Sequence, residues 1–483
     1  MTQDTQVTQV NEIDALVHNA AQALESLEGF NQEQIDKIVK AMTLAGVDRR
    51  LDLARLAVDE TQMGIFEDKV TKNLFGTEYI YHDIKDQKTV GVVEQDDAEG
   101  IVKIAEPFGV IVGITPVTNP TSTTMFKSLI SMKTRNPIIF AFHPRAQNCS
   151  SEAARVMMTA AKAAGAPEHC IQWLSEPTIE KANALMHHPG ISLILATGGS
   201  GMVRAAYSSG KPALGVGPGN VPVYIHKSAN IKMAVNDIIL SKTFDNGTIC
   251  ASEQSVVVDK EIAEQVKLRF QEQGAHFCNA AQTKKIETFA IDPKRSAMAP
   301  AVVGQPATKI AQMAGFEVPS STRLLLVPLE KVGAEEPLSR EKLSPILGYY
   351  VANTTEQAID LCDQLVRFGG MGHSAGIFCE DADVIRAYSR RVKAGRILEN
   401  VPTSLGAIGD IYNRLGPSLT LGCGAYGGNS TTDNVGVRNL LNIKTRSTRK
   451  VNMKWFKVPP KIYFEKGCLE YLRVVKGKRA FIV

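Results

Sequence analysis

The chain predicts an α/β protein organised on parallel sheet, and three features of the sequence carry that prediction. From Pro107 onward, short apolar runs alternate with longer stretches of helical periodicity, the pattern of strands joined by crossover helices. Beyond Cys250 the alternation begins a second time. Ahead of both, residues up to about 85 carry helical periodicity alone, a layer expected to pack on a later sheet.

Composition sets the bounds. The 483 residues suffice for two or three domains with large cores. With 44% hydrophobic and 22% charged residues, the chain reads as an ordinary soluble globular protein. The net charge of +4 is small, and no basic stripe runs outside the C-terminal stretch, so nothing argues for nucleic acid. No apolar run reaches the ~18 residues of a membrane span. The polar N-terminus has no basic or apolar leader pattern, so no signal peptide is expected. Eight cysteines stand at 149, 170, 250, 278, 362, 379, 423 and 468 without a C-x-x-C pair. That usage predicts no disulfide framework and no metal site, and fits a reducing, cytoplasmic setting.

Taken in order, Ile13, Leu16, Val17, Ala20, Ala21 and Leu24 share one helical face. Ile35, Ile38, Val39 and Met42 share another, with Asn31 as N-cap and Gly46 as helix end. Residues 49–60 continue as an amphipathic helix. The β-branched runs 88–94 and 100–106, separated by an acidic turn, predict an edge hairpin. Strands follow at 109–114, 137–142, 170–174 and 193–196, with helices at 121–134 and 151–164 between them. A strand at 223–225 precedes Cys250, and one at 255–258 follows it. Later come helices at 260–273, 282–287 and 355–366, a strand at 323–328, a glycine-rich loop at 369–376, and a return strand at 435–445.

Two local patterns carry chemistry. Cys250 follows Asn246-Gly-Thr-Ile249 and feeds an apolar strand, which places its thiol on a turn or helix start. Read from the residues alone, it is either a buried structural cysteine or a nucleophile facing a cleft. A free thiol is only a few per cent ionised at neutral pH, and helix-start amides would raise that fraction. The second pattern is Ala196-Thr-Gly-Gly-Ser-Gly201, a strand-to-helix turn whose glycines let backbone amides approach a phosphate. It lacks the full G-x-G-x-x-G spacing, and many ordinary strand–helix turns share its composition.

Gly247-Thr-Ile-Cys250 resembles the nucleophile motif of the aldehyde dehydrogenase superfamily. The blocks Glu60-Thr-Gln-Met-Gly64 through Asn73, and Ile114-Thr-Pro-Val-Thr-Asn-Pro120, resemble its coenzyme-A-acylating branch. The likeness runs from about Val10 to the end, along the N-terminal halves of bifunctional aldehyde–alcohol dehydrogenases. It implies two Rossmann-type domains: a dinucleotide-binding domain at 1–87 and 108–246, and a catalytic domain at 247–427. A protruding hairpin and return strand, 88–107 and 428–449, would form a subunit interface.

The same resemblance assigns Cys250 as the nucleophile, Asn119 as an oxyanion donor with Thr118 as the neighbouring alternative, and His373 as an acid/base for the coenzyme A thiol. Pro116, His143, Thr197, Gly198, Gly199, Gly217 and Glu341 would bind the cofactor, with Glu341 on the nicotinamide ribose. His143 and Ala146 depart from the lysine and ribose-binding glutamate usual there, which leaves NAD versus NADP open. The Gly215–Pro222 segment places Val216 where hydrolytic members carry a water-activating glutamate, and no acid lies between 211 and 234.

The implied activity is an NAD(H)-dependent acetaldehyde dehydrogenase (acetylating) of fermentative alcohol metabolism, with coenzyme A as co-substrate. An acyl-phosphate reductase of the same fold is the rival enzyme, and a filament-forming structural protein without catalysis is the rival of another class. A homo-oligomer is implied, a dimer for this chain and filaments for the longer proteins. From residue 446 a basic linker leads into 450–483, which resembles the opening of an iron-dependent alcohol dehydrogenase domain. Iron is expected only in that further domain.

Overall fold

The computed structural model describes residues 3–292, 297–449, 462, 464–474 and 476. Its first layer is helical, over Gln3–Glu28, Gln32–Asp48, Arg50–Thr61 and Phe66–Leu74. Asn31 caps the second helix in a reciprocal box with Gln34. Gly46 does not end that helix, which runs two residues further. A Cβ there would meet Thr77 Cγ2 at 2.7 Å and Met125 Sδ at 3.1 Å, so the glycine serves helix–helix approach.

The hairpin pairs β1 (Gly91–Asp96) with β2 (Ile101–Pro107) antiparallel. Next comes a five-stranded parallel sheet: β3 (Ile111–Ile114), β4 (Ile138–Ala141), β5 (Ile171–Trp173), β6 (Leu193–Thr197) and β7 (Ala213–Val216), in the order β5-β4-β3-β6-β7. Alternation of side chains divides its core. Ile111, Ile138 and Phe140 pack under the helical layer, whereas Val112, Ile139 and Ala141 pack against the first helix and Leu185. Burial on both faces is why these strands read as continuous apolar runs.

The second sheet holds β8 (Val221–Ile225), β9 (Glu253–Asp259) and β10 (Ala275–Phe277). A short pair, β11 (Ile291–Asp292) and β12 (Ala297–Met298), stands apart. The sheet continues with β13 (Leu324–Pro328), β14 (Ile346–Ala352), β15 (Gly372–Phe378) and β16 (Ala394–Glu399), seven parallel strands ordered β10-β13-β14-β9-β8-β15-β16. The return strand β17 (Leu441–Ser447) begins six residues later than the sequence pattern suggests, after a 3₁₀ turn at Val437–Leu440. It pairs with β2, giving the three-stranded order β1-β2-β17.

Residues 369–376 are not simply a loop. From Gly372 they form buried strand β15, with His373 as its second residue. Residues 479–483, an apolar run that reads as a strand in the sequence, lie outside the described residues. No helix among the described residues is long and apolar enough to cross a membrane.

Candidate active site

β3 runs on to β4 on one side and lies against β6 on the other. The loops leaving β3 and β6 therefore diverge, and ligand crevices form at such switch points, outside the carboxyl ends of the strands. The fully buried Lys127 holds the two strands together there, its ammonium donating to the carbonyls of Ile114 and Leu195. A cleft of about 1010 Å³ opens at this point. Pro116 and Asn119 enter it after β3, His143 after β4, Thr197 at the end of β6 with Gly198 and Gly199 beyond it, and Val216 at the end of β7 with Gly217 beyond it.

The glycine turn fits an anionic group. Gly199 precedes the helix Ser200–Tyr207, and no side chain caps that helix. Space is open where a Cβ would project from Gly199, Gly201 or Gly217. First-turn amides facing such space suit a diphosphate. Thr197 Oγ1 lies 3.2 Å from Thr420 Oγ1, which fixes the start of the turn. His143 is a capping residue, its Nδ1 accepting from the Arg145 amide at 3.1 Å. Burial, and then Arg145, lower its pKa.

The amino ends of the second sheet close the cleft. Phe244–Gly247 forms a 3₁₀ turn in which Asp245 and Asn246 take left-handed conformations. This turn swings the chain round so that Cys250 stands just ahead of β9. The thiol is half-buried and lines the cleft. Behind it, His373 Nε2 lies 3.3 Å from Cys250 Sγ, and Nδ1 lies 3.1 Å from Ser374 Oγ. His373 is completely buried, so it meets the thiol from the protein side. Arg396 donates to the His373 carbonyl at 2.8 Å and anchors the start of β15.

The Cys250 backbone amide and Arg396 do pull the thiol pKa down, but the surroundings outweigh them. Burial, and then the Glu341 carboxylate, push the Cys250 thiol up to about 12. Burial, and then Arg396, push His373 down to about 3. The resting pair is therefore a neutral thiol beside a neutral imidazole.

Val216 ends β7 and lines the cleft. One carboxylate does reach the cleft from a distance of 122 residues: Glu341 Oε1 accepts from the Gly219 amide at 2.8 Å. Burial raises Glu341 to about 7, against the opposing pull of that amide and of Lys242.

Sequence reasoning missed a buried charge cluster beneath Asn119. Lys72 Nζ donates to Asn119 Oδ1 at 2.6 Å and to Thr248 Oγ1 at 2.9 Å, and it is ion-paired with Asp245. Lys69 pairs with the same carboxylate at 3.0 Å and donates to the Thr118 carbonyl at 3.0 Å. Burial alone would raise Asp245, but Lys72 and Lys69 together leave it below its ordinary value. Burial lowers Lys72 to about 8, against the pull of Asp245, so it stays largely cationic at neutral pH. The available signal was two lysines three apart on one helix face, inside a block already singled out. Among the described residues, no three His, Cys, Asp or Glu side chains are placed to hold a metal ion.

A crevice at the switch point of one parallel sheet thus faces the cysteine turn at the amino end of the other. Residues 2–318 match the aldehyde dehydrogenase family, and the chain belongs to it. Across its full length the chain is similar to aldehyde-alcohol dehydrogenase 2 of Entamoeba histolytica, at 50% identity over 492 aligned residues, 100% of this chain and 56% of that protein. The chain thus spans about half the length of the curated aldehyde–alcohol dehydrogenases it matches. An acetylating aldehyde dehydrogenase from Geobacillus thermoglucosidasius superposes with a TM-score of 0.91 at 47% identity, covering 94% of this chain and 99% of that one. Rhodopseudomonas palustris propionaldehyde dehydrogenase, solved with bound CoA and an acylated cysteine, gives 0.82 at 26% identity, covering 90% and 97%.

Proposed function

We propose that this chain is an NAD-dependent, coenzyme-A-acylating acetaldehyde dehydrogenase. It interconverts acetaldehyde, CoA and NAD with acetyl-CoA and NADH, as part of cytoplasmic fermentative ethanol metabolism. The carrying observation is the Cys250 thiol, held between His373 and a cleft lined by Val216, the residue that the family resemblance sets in place of a water-activating glutamate. The similar propionaldehyde dehydrogenase with bound CoA and an acylated cysteine supports the same reading.

In the oxidative direction, Cys250 sulfur adds to the aldehyde carbon as its proton passes to His373 Nε2. The carbonyl π pair moves onto oxygen, and the Asn119 amide and the Cys250 backbone N–H hold that oxyanion. Donors of this kind are worth about 3–4 kcal/mol each. A nicotinamide held in the cleft by Thr197, Gly198, Gly199, Gly217 and Glu341 would supply the acceptor for the hydride of the former aldehyde carbon. The oxygen lone pair then re-forms the carbonyl, leaving a thioester on Cys250. A thiol acceptor, its own proton released to solvent, attacks that carbon as the thiolate, the bond to Cys250 sulfur breaks, and His373 returns its proton to that sulfur. Water is a poorer acceptor: Glu341 is the carboxylate at hand, and the Gly219 amide holds one of its oxygens. General-base help is typically worth 10²–10⁴-fold, so hydrolysis is expected to lag by about that factor.

The test is a rapid-mixing experiment with acetaldehyde and NAD, first without and then with CoA. One NADH per active site should form at once, and steady turnover should begin only when the thiol is added. Inorganic phosphate in place of CoA separates the rival: turnover with phosphate alone would mark an acyl-phosphate reductase. Rapid release of free acetate with neither acceptor would return the chain to the hydrolytic members.

A further inference from the structure

We propose that Lys72 is a positioning residue for this reaction: its ammonium fixes the orientation of the Asn119 amide, so that Nδ2 faces the oxygen of the group bound to Cys250. The inference rests on the reading of Asn119 as an oxyanion donor.

An asparagine amide has two faces, and its neighbours decide which way it points. Lys72 Nζ can only donate, so the Asn119 atom 2.6 Å away must be the acceptor Oδ1. The opposite flip would set two donors against each other. Nδ2 is then left with two hydrogens, one of them directed to Thr118 Oγ1 at 3.2 Å. Asn119 lines the cleft, so its remaining hydrogen is available to an oxygen bound there.

The local structure shows that this orientation is imposed. Asn119 is the N-cap of the helix Pro120–Lys133, and an N-cap asparagine ordinarily turns its oxygen onto the amides of the first turn. Here it makes no such bond. Its oxygen has been taken by a lysine from another helix, 47 residues away in sequence. A charge-assisted bond at Oδ1 also polarises the amide and strengthens Nδ2 as a donor.

Lys72 is itself pinned. It bridges Asp245 and Thr248, which belong to the turn that presents Cys250. Thr248 Oγ1 in turn donates to Asp245 Oδ2 at 2.7 Å. One ammonium therefore ties the donor on the first sheet to the nucleophile turn on the second. Donor and nucleophile must be held within a few tenths of an ångström for oxyanion stabilisation, and this link supplies that registration.

The test is a double-mutant cycle read on the pre-steady-state NADH burst, using the whole chain with acetaldehyde and NAD. Asn119→Ala should slow the burst by about 10²–10³-fold, the usual loss of one oxyanion donor. Lys72→Met should slow it by roughly 10–100-fold with the KM for NAD unchanged. The combined variant should be no slower than Asn119→Ala alone, because a residue acting through Asn119 has nothing left to position. Multiplying losses, or a Lys72→Met burst at the original rate beside a slow Asn119→Ala, would overturn the proposal. An undiminished Asn119→Ala burst would instead remove the oxyanion reading beneath it. Lys72→Met leaves Asp245 with Lys69 alone, which can unfold so buried a cluster. The pair Lys72→Met with Asp245→Asn removes one charge of each sign, and it carries the same comparison if the single variant does not fold.

Discussion

At the scale of single residues, the site presents the Cys250 thiol in its protonated form. A thiol held up to about 12 has a thiolate fraction that grows with every pH step below that value. Alkylation of Cys250 by iodoacetamide in the cofactor-free protein should therefore rise roughly tenfold per pH unit from 7 to 10, without the levelling near 8.5 of a free cysteine. Peptide mass spectrometry at Cys250 follows the rate, and a plateau near pH 8 would show that the surroundings do not hold the proton on sulfur. The turn and following strand drew notice to Cys250, but local residues left it open between a structural cysteine and a nucleophile, and only the family resemblance chose between them. The environment of the thiol was not legible in the sequence, since Glu341, Arg396 and His373 reach it from 91, 146 and 123 residues away in the chain. Lys72 and Asp245 escaped for the same reason: each alone reads as an ordinary surface charge, and only the fold buries them together.

At the scale of elements, the site depends on backbone approach as much as on side chains. Gly219, in the link between β7 and β8, lies so close to the nucleophile turn that a Cβ would come within 2.0 Å of the Cys250 carbonyl oxygen. Gly219→Ala should push that turn away, and overpacking of this kind costs about 1–3 kcal/mol. Thermal unfolding should fall accordingly while the NADH burst is nearly lost. A variant with an undiminished burst would show that the turn yields without harm. The parallel strands were legible because strands buried on both faces are continuous apolar runs between helical periods. The glycine-rich start of β15 was not. Glycines weaken a strand pattern, but Gly372 is required there because a Cβ would lie 1.9 Å from the Cys423 carbonyl. Gly46 misled in the same way, being a packing glycine in the form of a helix end.

At the scale of the whole molecule, the three-stranded sheet leaves an edge that an isolated subunit has no use for. β17 spends its inner edge on β2 and leaves the other uncovered, with residues 442–447 exposed and Ile443 41% accessible. A seven-residue edge with free amides and carbonyls is a template for another strand. Lys444 is already tied down by Glu106 at 2.9 Å, so that charge does little to repel a partner. If this chain assembles as the family resemblance implies, the uncovered edge of β17 is where a second copy is expected to pair. Ile443→Lys adds an unpaired charge at the middle of that edge, at a residue that does not line the cleft, and should weaken self-association at least about tenfold if the strand is an interface hot spot. Light scattering across a dilution series would show the mass falling toward that of one chain. The NADH burst per active site should stay as before, because cleft, thiol and glycine turn all lie within one subunit. An unchanged mass at every concentration would place the contact between copies elsewhere, and a lost burst with unchanged mass would mean that β17 supports the site through β2 and the helical layer instead.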